Sequence, residues 1–111
     1  MNLKAKLIVM TAAIAFTGTA IVADEAKTVY EKNCAACHGK DGKGNSAMAK
    51  VFKVDAAALD LVDEASLNKS DVELAKVITD GLNKMPAYKG KISDKLISEI
   101  INYVRSLKNG K

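Results

Sequence analysis

The chain has no tryptophan, one proline, one histidine and two cysteines among 111 residues, and its aromatic rings come from only three tyrosines and two phenylalanines. Two cysteines and one histidine are too few for a four-ligand structural zinc site. Scarce aromatics among scattered basic residues give no footing for nucleic-acid binding. No internal repeat, low-complexity tract or interdomain linker is visible, and nothing after residue 23 alternates as a strand does.

The uncharged run from Leu7 to Ala23 is rich in Ala, Thr and Gly and short for a bilayer that needs about 20 apolar residues. Lys4 and Lys6 precede it, and Gly18-Thr19-Ala20 and Ile21-Val22-Ala23 close it with small residues. Residues 1–23 therefore read as an export signal cleaved after Ala20 or Ala23, which places the mature chain in the periplasm. A membrane association is expected only if that leader stays uncleaved. No cysteine lies near its end, so a lipid anchor is excluded. The formal charge of +4 includes Lys4 and Lys6, so cleavage halves the excess.

Residues 24–111 then form one domain, and a chain of that size buries only roughly 60% of its unfolded surface. Small exported domains usually rely on a staple. The staple is indicated by Cys34-Ala35-Ala36-Cys37-His38, which contains both cysteines and the one histidine. C-x-x-C-H is the pattern of covalent haem attachment: two thiols on adjacent helical turns reach two vinyl groups, and the imidazole that follows reaches the iron. A redox dithiol would sit at a strand-to-helix junction, and no strand pattern precedes Cys34. A large flat cofactor also accounts for a core with few rings of its own.

The iron's second axial position has several claimants in the sequence: Met48, Met85, a lysine amine, water or an external ligand. Met85 lies in Gly81-Leu82-Asn83-Lys84-Met85-Pro86-Ala87-Tyr88, where Pro86 cannot continue a helix and stiffens the loop. Helical spacing of Ala26, Val29, Tyr30 and Asn33 predicts a helix from Asp24 to Cys37 with acidic residues in its first turn. Gly39 to Asn45 predicts a tight loop close to the porphyrin, and Ala47 to Phe52 a short helix. Val54 to Leu67 has no clear period; Leu59, Leu61, Val62 and Leu67 are its candidates for packing on the haem edge. Ser70-Asp71-Val72-Glu73 is a capping box for a helix with the stripe Leu74, Val77 and Ile78, ended by Gly81. Ser93 or Asp94 caps a last helix whose apolar stripe is Leu96, Ile97, Ile100, Ile101, Val104 and Leu107.

Taken in order, Cys34-Ala35-Ala36-Cys37-His38-Gly39 with Gly42 and Gly44, Lys84-Met85-Pro86, and Asn102-Tyr103-Val104-Arg105-Ser106-Leu107 resemble the class I cytochromes c, in particular their small bacterial members. The resemblance covers essentially all of residues 24–107. It implies an all-α fold of about four helices wrapped around one haem c, with the first and last helices crossing near Tyr30 and Tyr103. It implies thioether attachment at Cys34 and Cys37, His38 as proximal ligand and Met85 as distal ligand. Met48 is expected to pack beside the haem, and Tyr88 to bond a propionate, bond the Met85 loop, or simply pack. Many relatives carry a proline whose carbonyl orients the proximal imidazole; here a carbonyl between Asn45 and Ala47 is expected to replace it.

With both axial positions filled by the protein, the expected function is one-electron transfer between redox proteins rather than catalysis. A haem protein with a labile Met85, acting as peroxidase or ligand sensor, is the alternative. The partners are a donor and an acceptor with acidic docking faces, steered by Lys40, Lys43, Lys84, Lys89 and Lys91, which should rim the haem crevice. A monomer is expected. Intact-mass measurement of the exported protein should find an N-terminus at Ile21 or Asp24; a product starting at Met1 would overturn the leader assignment.

Overall fold

The computed structural model describes residues 18–110. Most of the expected leader, residues 1–17, therefore lies outside the described residues. Six α-helices follow in chain order: α1 (Gly18–Asn33), α2 (Ala35–His38), α3 (Ser46–Phe52), α4 (Glu64–Leu67), α5 (Asp71–Asp80) and α6 (Asp94–Ser106). Short 3₁₀ turns at Ala56–Leu59 and Leu107–Asn109 complete the set. No strand occurs among the described residues, so the all-α expectation holds.

The expected helix from Asp24 to Cys37 is in fact two. No proline or glycine interrupts residues 19–33, so α1 begins ahead of Asp24, and its first turn carries no acidic residue. The helix is interrupted at Cys34 (φ −115°), and α2 restarts with the His38 N–H donating to Cys34 O at 2.9 Å. The other boundaries follow their caps. Ser70 Oγ accepts from Glu73 N at 3.1 Å, and Ser93 Oγ accepts from Leu96 N at 3.2 Å. Asn45 Oδ1 accepts from Ala47 N at 3.0 Å and starts α3.

The core lies where α1 crosses α6. Ala26 and Tyr30 of α1 are wholly buried against Ile97, Ile100, Ile101 and Val104 of α6, and Ile92 and Leu107 close the two ends. Tyr30 and Tyr103 meet at that crossing with ring centroids 5.3 Å apart and planes tilted by 60°, within the favourable range for aromatic pairs. The C-terminal end of α6 is tied down by Arg105. Its Nη1 donates to Leu67 O at 3.2 Å and its Nη2 to Lys69 O at 2.8 Å, while Nε and Nη2 both reach Asp71 Oδ1.

The loop after the motif serves the protein wall rather than facing the cavity. Gly44 (φ +94°) adopts a backbone that L side chains rarely tolerate, and a Cβ there would sit 3.1 Å from Ala56 O and 3.3 Å from Leu59 Cβ. Gly42 likewise abuts Leu107 and Val62. Replacing Ile97, 2% exposed, by Ala should cost about 2–5 kcal/mol in denaturant unfolding. Ile97 does not border the cavity described below, so the visible spectrum of the loaded protein should not change.

Candidate functional site

A cavity of about 680 Å³ opens beside the α1–α6 crossing, within the range of about 300–1,000 Å³ usual for small-molecule and cofactor sites. Its walls are mainly apolar: Leu74, Val77 and Ile78 of α5 meet Ile100, Ile101 and Val104 of α6 there. Cys34, Cys37, His38 and Met85 all border it. The four residues singled out by motif and resemblance are thus gathered at one void, although Met85 lies 47 to 51 positions further along the chain than the other three.

The C-terminal end of the motif is held by the loop that follows. Gly44 N–H donates to His38 O at 2.7 Å, Asn45 N–H to Cys37 O at 2.9 Å, and Asn45 Nδ2 to Ala36 O at 3.1 Å. The His38 ring is set by a partner outside that loop. Its Nδ1 lies 2.9 Å from Leu59 O. A carbonyl only accepts, so Nδ1 carries the proton and Nε2 keeps a free lone pair for a metal. The orienting carbonyl thus belongs to the 3₁₀ turn Ala56–Leu59, not to Asn45–Ala47 as the sequence suggested. Gly44 explains the displacement: it lets the motif loop lie directly against that turn.

The Met85 loop is equally constrained. Leu82 and Met85 exchange backbone hydrogen bonds at 3.1 and 2.9 Å, and Tyr88 N–H and Lys89 N–H return to Ile78 O and Thr79 O on α5. At Gly81 (φ +77°) a Cβ would stand 2.8 Å from Met85 O, so only glycine lets the loop close.

Other expectations are corrected. Met48 does not border the cavity; Phe52 and Val54 do instead. Leu59 and Leu61 border it, whereas Val62 and Leu67 do not. The Tyr88 hydroxyl, whose pKa burial raises, donates to Asn33 O at 3.2 Å, across to the end of α1. Of the five lysines expected at the rim only Lys84 borders the cavity, and Lys69, which sequence reasoning missed, borders it too. A lysine just ahead of a helix cap carries no local mark of such a place.

The chemistry of this wall fits a covalent haem better than a reactive dithiol. Burial, with the neighbouring Cys37 adding to it, pushes the Cys34 thiol up to about 11. Catalytic dithiols depend on a lowered value. The apolar volume, an imidazole with its Nδ1 already bonded and a thioether on the same cavity match what a six-coordinate haem requires.

Comparison with known proteins agrees. A family model described as cytochrome c oxidase, cbb3-type, subunit III matches residues 22–104. The chain is 36% identical over 94 residues to the cbb3-type cytochrome c oxidase subunit CcoP of Azospirillum brasilense, covering 83% of this chain and 30% of that subunit. It is also 36% identical over 96 residues to cytochrome c6 of Porphyra purpurea, covering 84% of this chain and 80% of that protein. With cytochrome c6 of Picosynechococcus sp. the identity is 36% over 102 residues, covering 88% and 86%. The chain thus spans under a third of the oxidase subunit and most of the length of the two cytochromes c6.

Tyr30 joins this site to the core: its hydroxyl donates to Gly39 O at 2.7 Å, beside His38, and burial holds the phenol well above its usual pKa, hence neutral. Tyr30→Phe removes that bond and leaves Gly39 O with the Gly42 N–H alone, at 3.1 Å, so it should lower stability by about 0.5–1.5 kcal/mol, read from the denaturation midpoint of the ferric protein. An unchanged midpoint would show that the bond contributes nothing.

Proposed function

Because the chain belongs to the class I c-type cytochromes, matching the family of the cbb3-type oxidase subunit III, we propose that it carries single electrons between redox proteins. Membership of the family brings one covalently bound haem c. In this reading Cys34 and Cys37 would form the two thioethers, and His38 through Nε2 and Met85 through its sulfur would hold the iron. The observation that carries it is the placement of His38, its Nδ1 already bonded to Leu59 O, and Met85 on one apolar cavity with both cysteines.

The bound haem supplies a ferric–ferrous couple. The chain's residues decide how that couple is used. The Leu59 carbonyl keeps the His38 ring in one orientation, and the Leu82–Met85 bridge with Pro86 keeps the thioether in place, so the same two ligands serve both oxidation states. The aliphatic walls from α5 and α6 exclude water, and a thioether favours ferrous iron over the ligand field of two nitrogens. With His38 Nε2 and the Met85 sulfur both available to hold the iron, the bound haem would keep no open position for a substrate, which favours a carrier over a peroxidase or ligand sensor.

Export to the periplasm is supported by the leader pattern in residues 1–23. No helix among the described residues is long and apolar enough to cross a membrane. Its partners are a donor and an acceptor protein, with an acidic face toward the exposed Lys84 beside the cavity.

The mature protein from a periplasmic fraction should keep its haem stain through denaturing electrophoresis. Met85→Ala should abolish the sulfur-to-iron absorption band, lower the reduction potential and open the iron to cyanide, while the native protein resists it. If the native ferric protein takes cyanide as readily as Met85→Ala does, the sixth position is open and the carrier reading fails.

A further inference from the structure

The apolar cavity must also accommodate two carboxylates, because a haem carries two propionate groups. Burying a carboxylate without a partner is costly, so the groups must end where the wall offers donors. Several polar hydrogens on this wall are already committed, while the Asn83 amide also borders it. The hydroxyls of Tyr30, Ser66 and Tyr88 donate to Gly39 O, Asp60 O and Asn33 O, and His38 Nδ1 is bonded to Leu59 O. Asn33 Nδ2 donates to Val29 O. Apart from His38, the cationic residues bordering the cavity among the described residues are Lys69 and Lys84.

The two lysines are held differently. Lys84 adjoins Met85 in a loop braced by its own Leu82–Met85 bridge. The backbone of Lys69 is clamped from α6, since Arg105 Nη2 donates to Lys69 O at 2.8 Å and Nη1 to Leu67 O at 3.2 Å. That clamp fixes where the side chain starts and reduces the entropy lost on forming an ion pair. The acidic groups around it are themselves engaged. Asp60 Oδ1 accepts from Val62 N and Asp63 N, and Asp71 pairs with Arg105 at 2.7 Å. Asp63, held below the usual carboxylate range by hydrogen bonding from Ser66 with Lys69 adding to it, is the remaining competitor for the ammonium.

We propose that Lys69, positioned by Arg105, is the cationic partner of one haem propionate. The proposal rests on the haem assignment above. It gives the lysine a charge-assisted bond to a carboxylate at the cavity mouth and assigns Lys84 to the outer rim.

A crystal structure of the haem-loaded protein should place Lys69 Nζ within about 4 Å of a propionate oxygen. Removing that positive charge leaves the propionate's negative charge uncompensated, which favours ferric iron. At a fixed poised potential Lys69→Gln should therefore raise the ferric-to-ferrous ratio roughly two- to fivefold, and Lys69→Arg should stay close to the native ratio. A Lys69 turned to Asp63 or to solvent, both propionates paired elsewhere, or a Lys69→Gln ratio equal to the native one would each overturn the assignment. A mature chain with no covalent haem has no couple to poise and sinks the carrier reading itself. A normal couple indifferent to Lys69→Gln sinks only the role of Lys69.

Discussion

The crossing of α1 on α6 is the contact on which the rest of the molecule depends. Ala26 is small enough to let the two helices approach, and Tyr30, one turn on, is buried between them. The Tyr30 ring meets Tyr103 while its hydroxyl reaches out of the core to Gly39 O, next to His38. One side chain therefore couples packing of the terminal helices to the position of the attachment motif. Ile100, Ile101 and Val104 extend the coupling, for they belong to the buried core and also border the cavity. The fold and the cofactor site are two faces of the same side chains. For a domain of this size that economy is expected, because little apolar surface remains with which to build a separate core.

What could be read from the sequence was what local chemistry determines. Ser70, Ser93 and Gly81 announced helix ends because a cap is a bond between neighbours, and the α6 stripe announced its buried face because period fixes it. The motif identified its cofactor because five consecutive residues carry the whole pattern. The Leu59 carbonyl was illegible for the opposite reason. Every residue has a carbonyl, and which one meets His38 depends on how closely Gly44 lets two loops approach. Lys69 was hidden in the same way, since its place on the cavity comes from contacts with α6 and not from its neighbours in sequence. The break at Cys34 and the inward packing of Gly42 and Gly44 were likewise tertiary outcomes.

The two kinds of relative sharpen what the domain is. A likeness that spans less than a third of an oxidase subunit and most of a cytochrome c6 indicates one module found both inside larger chains and nearly alone. The structure explains how that is possible. The buried core and the cavity draw on the same helices, and the hydroxyl protons on the cavity wall are satisfied by the chain's own backbone.

Arg105 shows why a residue on the outside can still shape that interior. An exposed pair with Asp71 alone contributes little, since solvent screens it and two flexible side chains must be ordered. Here the same guanidinium also donates to two backbone carbonyls, Leu67 O and Lys69 O, and such charge-assisted bonds are stronger and directional. Their effect is to fix the segment between α4 and α5 against the end of α6. A lysine at position 105 could hold one of these partners as a point charge but could not span all three, because the planar fork is what sets them in register. The identity of the residue, and not its charge alone, therefore holds the wall that carries Lys69.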